Sequence, residues 1–321
     1  MSRIAISRRL ISRLAAAACC ASMPVVPAAA QQSPAAAHRD AGTTENAPAP
    51  QTILFIGNSF TFGALSPAFR YRADSVTDLN GDGIGGVPAL FKLFTEQAGL
   101  DYAVSLETAP GRSLEWHWAN KRALLDRRWD HVVMQEYSTL DSADPGNPAK
   151  LIDYAGRWVA LFTAKNPGVD ISLTATWTRP DQTYRPGGKW YGKPVTQMAL
   201  DLRHGYDLAA NAYPQIARVN PVGQAFSCAI AAGFADANPY DGIDPDTVNL
   251  WAWDHYHASF AGYYLEALTV FIGVTGHDPR QFGSSEKAAG DNGLSPKAAV
   301  RLQRVAWAAT HGESCTALAA E

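Results

Sequence analysis

Residues 53–63 read Ile-Leu-Phe-Ile-Gly-Asn-Ser-Phe-Thr-Phe-Gly. The opening apolar run is too short for a helix and too continuous for a half-exposed strand, so it predicts a strand covered on both faces, as in a parallel sheet. Gly57-Asn58-Ser59 then interrupts it. Gly and Asn tolerate positive φ and Ser caps helices, so a plain turn accounts for all three residues. In an open parallel sheet, however, ligands gather at the carboxyl ends of the strands, which puts Ser59 on the functional rim.

The pattern repeats outward from this point. After the strand 52–57, helical spacing of Leu90, Phe91, Leu93 and Phe94 predicts a helix over 87–99, and strands follow at 102–107, 131–135, 169–177 and 218–226. Helices are predicted at 114–127, 149–165, 194–212, 259–274 and 296–310. Strands separated by helices imply parallel βαβ crossovers, and thus a three-layer α/β/α sandwich around a parallel sheet of about five strands, flavodoxin-like in type. No repeat or linker divides residues 51–321, which read as one domain. Residues 64–86 form a long insertion expected to cover the site.

With 321 residues, 47% of them hydrophobic, the chain can bury a large core. A net charge of −3 with interspersed signs excludes the broad basic face that nucleic-acid binding needs. Residues 1–30 differ in kind: Arg3, Arg8, Arg9 and Arg13 precede an alanine-rich apolar stretch closing on Ala28-Ala29-Ala30, the grammar of an export signal. Pro24 and Pro27 break that stretch, which is too short for a stable membrane span. Arg8-Arg9 resembles a twin-arginine signal, and ordinary signals carry such pairs too. The expected location is periplasmic or extracellular. Residues 31–50, rich in Ala, Pro, Ser and Gln, read as a disordered leader. Cys228 and Cys315 would be the cysteines left after cleavage, in an oxidising compartment, and sequence leaves their pairing open.

A serine hydroxyl needs a base to take its proton, and the base needs an acid to hold its tautomer. Far along the chain, Trp251-Ala252-Trp253-Asp254-His255-Tyr256-His257 offers both: Asp254 and His257 are spaced to face the same way on one turn. His255 competes, but adjacency to Asp254 points it elsewhere.

Gly57-Asn58-Ser59, then Ala109-Pro110-Gly111-Arg112-Ser113, then the polar Gln135-Glu136-Tyr137-Ser138, then Asp254-x-x-His257 resemble the ordered blocks of the SGNH/GDSL hydrolase superfamily. The wider wording looks closest to a bacterial exported subgroup without a settled substrate. The resemblance implies Ser59 as nucleophile, His257 as general base and then acid, Asp254 as its orienting partner, and the N–H groups of Ser59 and Gly111 as oxyanion donors. The family's asparagine in the third block is missing here. Gln135 can supply the same amide donor with one more methylene of reach, and Ser138 is its rival.

Other signals are weaker. Asp78, Asn80 and Asp82 with Gly83 resemble the first half of a calcium loop, but its twelfth position is Ala89 rather than glutamate, so a polar surface loop is the simpler reading and no metal or cofactor is expected. Trp177 and Trp253 fall near strand ends, where aromatic faces suit sugar rings. The expectation is an exported serine esterase acting on short acyl esters of carbohydrate. Lipid or aryl esters are alternatives, as is an inactive carbohydrate-binding protein of the same fold. Oligomeric state is not legible.

Overall fold

The computed structural model describes residues 49–320. The expected export signal and all but the end of the leader lie outside the described residues.

The first strand, β1 (Gln51–Gly57), shows why its apolar run is continuous. Successive strand side chains point to opposite faces, and both faces here are core: Ile53 and Phe55 join one apolar cluster, Leu54 and Ile56 the other. Five more strands follow, β2 (Thr77–Asp78), β3 (Tyr102–Thr108), β4 (His131–Met134), β5 (Asp170–Thr174) and β6 (Ile216–Asn220), in the sheet order β2-β3-β1-β4-β5-β6. All pairings are parallel. The helices are α1 (Gly86–Gln97), α2 (Leu114–Leu125), α3 (Ala149–Lys165), α4 (Pro180–Thr183), α5 (Gln197–Ala212), α6 (Val222–Ala231), α7 (Phe260–Thr275), α8 (Lys287–Asp291) and α9 (Pro296–His311). Side chains of α1, α6, α7 and α9 cover one face of the sheet and those of α2, α3 and α5 the other. The result is the three-layer sandwich read from sequence, and no helix of the described residues is long and apolar enough to cross a membrane.

Two corrections concern the sheet. The expected strand 218–226 is β6 followed by α6, because Pro221 stops the strand and the next residues turn straight into a helix. Gly223 permits that turn: a Cβ there would lie 2.4 Å from the Thr176 carbonyl oxygen. The sixth strand is β2, a two-residue edge inside the insertion that hydrophobic patterning does not mark. Apart from this edge the order is that of a doubly wound sheet, with β1 central and its carboxyl end at the switch in winding direction. The insertion itself packs through Ala68 and Ile84 into the core shared with α1 and α7.

Cys228 of α6 and Cys315 are joined by a disulfide across 87 residues.

Candidate active site

The turn after β1 is built by close approach. A Cβ on Gly57 would fall 2.0 Å from Thr61 Oγ1 and 2.9 Å from Gln135 Oε1, so only glycine fits. Neither Gly57 nor Asn58 has a positive φ; Asn58 is there for its amide. Its Nδ2 donates to the carbonyls of Arg112 (3.0 Å) and Glu136 (3.3 Å), and its Oδ1 accepts from the Phe60 N–H at 3.1 Å. One buried side chain thus fastens the loop after β3 and the loop after β4 to the serine turn. Ser59 is 6% exposed. Its carbonyl accepts from the Tyr263 hydroxyl (3.2 Å) and from the Ala64 N–H (3.1 Å), which fixes the turn to α7.

Asp254 and His257 sit on a loop pinched by the Trp251–Ala258 bridge and by the Ala252 N–H donating to the His257 carbonyl at 2.8 Å. Ser259, just past the pinch, caps α7 by accepting from the Gly262 N–H. Within the loop, His257 Nδ1 lies 2.6 Å from Asp254 Oδ2, while Asp254 Oδ1 accepts the backbone N–H groups of Tyr256 (3.1 Å) and His257 (3.0 Å). Burial pushes the Asp254 carboxyl up, but the His257 side chain and these two N–H groups outweigh it and hold the pKa below the ordinary carboxylate value. Asp254 is therefore a fixed anion that orients the imidazole through Nδ1. The opposite nitrogen, Nε2, is buried and without a hydrogen-bond partner, Ser59 Oγ included. His255 has a positive φ and packs against Tyr240, with ring centroids 4.1 Å apart.

The serine and histidine loops meet through aromatics. Phe60, next to Ser59, lies edge-on to His257 at 5.7 Å and stacks on Trp177 at 4.0 Å. Trp177 is completely buried, with Phe226 stacked on its ring at 5.0 Å and its Nε1 donating to the Tyr256 carbonyl at 3.3 Å. The expected role of Trp177 as a sugar platform is corrected accordingly, because neither ring face is open. Trp253 is 78% exposed and its ring is available.

Gly111 adopts φ +63° in the exposed loop after β3, a left-handed conformation that favours glycine. Among the described residues neither the Ser59 N–H nor the Gly111 N–H has an acceptor. The side chains considered for a third donor are differently placed. Gln135 Oε1 accepts from the Asn58 N–H (3.1 Å) and the Thr61 hydroxyl (3.1 Å), and its Nε2 donates to the Glu136 carbonyl. Its amide is engaged at both ends in holding the turn. The Ser138 hydroxyl meets Tyr256 Oη (3.3 Å) and accepts from Arg179 Nη1 (3.0 Å), tying the β4 loop to the histidine loop. Arg179, forked on Asp181, lies 3.7 Å from the Tyr256 ring centre.

The calcium-type loop is closed on itself. Asp78 accepts the N–H groups of Asn80, Asp82 and Ile84, Lys121 Nζ reaches Asn80 Oδ1 at 2.7 Å, and Arg70 donates to the carbonyls of Asp82 and Gly83. Two protein cations already serve its oxygens, and no group of three or more His, Cys, Asp or Glu among the described residues could hold a metal.

Sequence assigns no role to Asn58 or Arg179: the amide reads as a turn former and the guanidinium, with Arg112 and Asp181, as a rim group, until their partners are brought near. Glu136 is similar. It is fully buried, its carboxylate accepting from the N–H groups of Leu114 and Tyr137, and burial raises its pKa to about 8 in spite of those donors.

No family model and no curated protein matches the chain. Solved structures do. A DUF4886 family protein from Bacteroides uniformis superposes with a TM-score of 0.53 at 18% identity, covering 80% of this chain and 93% of its own. A protein from Parabacteroides merdae described as a GDSL-like lipase gives 0.49 at 18% identity, over 71% and 96% of the two chains. One from Slackia heliotrinireducens described as an SGNH hydrolase gives 0.46 at 19% identity, over 70% and 100%. Likeness at such identities is likeness of fold. The described residues share the fold of the Bacteroides uniformis protein, a parallel sheet between two layers of helices, with Ser59 and Gly111 placed just past the carboxyl ends of β1 and β3.

Proposed function

We propose that the protein is an exported serine esterase that removes short acyl groups from carbohydrate. The observation that carries the hydrolase reading is the histidine: Asp254 fixes Nδ1, and Nε2 is left unpartnered behind Phe60, the residue that follows Ser59. In this reading Ser59 Oγ attacks the ester carbonyl as His257 Nε2 takes its proton. The imidazolium, stabilised by Asp254, then returns the proton to the leaving alkoxide. Water attacks the acyl-enzyme by the same relay, releasing the carboxylic acid and free serine. The unengaged N–H groups of Ser59 and Gly111 are the oxyanion donors of this scheme. The sugar preference is supported by Trp253, an exposed aromatic that precedes Asp254 in the chain, and export by the residues before Ala30.

The test is turnover of p-nitrophenyl acetate by the purified protein beside Ser59→Ala. The native protein should exceed the variant by about a thousandfold or more, and a fluorophosphonate probe should label Ser59 only in the former. Equal rates would leave the fold as a carbohydrate-binding scaffold.

A further inference from the structure

A cavity of about 330 Å³ opens beside Gly111, within the range of small-ligand sites. Its wall includes Arg112, Trp116, Asn120, Tyr137 and Ser142. The two cations and two carboxylates that line it are unevenly paired. Glu115 and Asp141 also line it, and both are claimed by Lys150, at 4.0 Å and 3.1 Å. Arg112 has no carboxylate partner among the described residues; its guanidinium lies 5.4 Å from the Trp116 ring centre, which covers one face and leaves the N–H edge free. Unlike Lys150, it is a cation presented to the cavity with its charge unanswered. A neutral sugar would use the aromatic faces and hydroxyl partners but leave that guanidinium to water. A carboxylate would pair with it in the fork geometry that arginine favours.

We propose that this cavity seats a sugar residue bearing a carboxylate, of uronic-acid type, and that Arg112 reads its charge. The proposal rests on the esterase reading above: Gly111 belongs both to the cavity wall and to the oxyanion donors, so a carbonyl held at its N–H presents the ester's alcohol portion to the cavity.

Calorimetric titration of the Ser59→Ala protein with trigalacturonate and with xylotriose tests it without turnover. Trigalacturonate should bind about tenfold or more tightly than xylotriose, an advantage that salt erodes. Arg112→Gln should abolish most of this preference and Arg112→Lys should retain part of it. Equal binding of the two saccharides, binding of neither, or an undiminished preference in Arg112→Gln would overturn the proposal. p-Nitrophenyl acetate has no sugar to fill the cavity, so its turnover reports on the esterase reading separately.

Discussion

At the scale of single residues the site turns on two buried side chains that do not touch the reacting atoms. Asn58 holds two loops to the serine turn: it is the donor to the Arg112 carbonyl, and it shares the Glu136 carbonyl with Gln135 Nε2. Asn58→Ala would orphan the Arg112 carbonyl, at a cost of roughly 1–3 kcal/mol, and release the Gly111 loop, while the Glu136 carbonyl would keep Gln135 Nε2. The expected result is a drop in kcat/KM of about tenfold to a hundredfold on p-nitrophenyl acetate with Ser59 still present, since misplacement of about 1 Å has consequences of that order; turnover kinetics and the rate of fluorophosphonate labelling check it. Glu136 makes a pH prediction. Its ordinary pKa of 4.5 rises to about 8 in the fold, so the folded state keeps a proton that the unfolded chain has lost across that window. The contribution is full below about 4.5, declines as pH rises and is gone above about 8. The unfolding free energy from urea titration should fall from about pH 5 to about pH 9, by an amount on the order of a few kcal/mol, and Glu136→Gln should remove Glu136's share of that fall, leaving the share of Glu266, which burial also shifts upward.

At the scale of elements, the histidine loop is placed by packing. Trp177, directly after β5, stacks between Phe60 and Phe226 and holds the Tyr256 carbonyl. Trp177→Ala should destabilise the protein by about 3–5 kcal/mol in urea titration, whereas Trp253→Ala, on an exposed ring, should stay within about 0.5 kcal/mol. Sequence could not separate these tryptophans, because both read as rim aromatics and differ in what packs on them. It did place most elements, since helices with an apolar stripe and strands with continuous apolar runs report their own burial. It misread the segment after β6, where Val222 to Ala231 is apolar enough to pass for a strand and its helical state depends on the close contact of Gly223 with the β5 loop.

For the whole molecule, the Cys228–Cys315 link ties α6 to the end of the described chain. Closing 87 residues stabilises by about 4–5 kcal/mol in the chain-entropy account, so dithiothreitol should lower the urea midpoint markedly. Cys228→Ser/Cys315→Ser should reproduce the loss and become insensitive to the reductant. By itself the sequence determined the layered α/β architecture and the order of the chemical blocks. Local apolar periodicity sets the former, and the latter needs only residue types at strand ends. Only the tertiary structure decided which side chains meet. It engaged Gln135 in the turn, buried Trp177, and gave Asn58 the task of binding two loops to Ser59. Each of these outcomes is a hydrogen bond or ring contact between residues far apart in the chain, whose partners exist only once the sheet has brought the strand ends together.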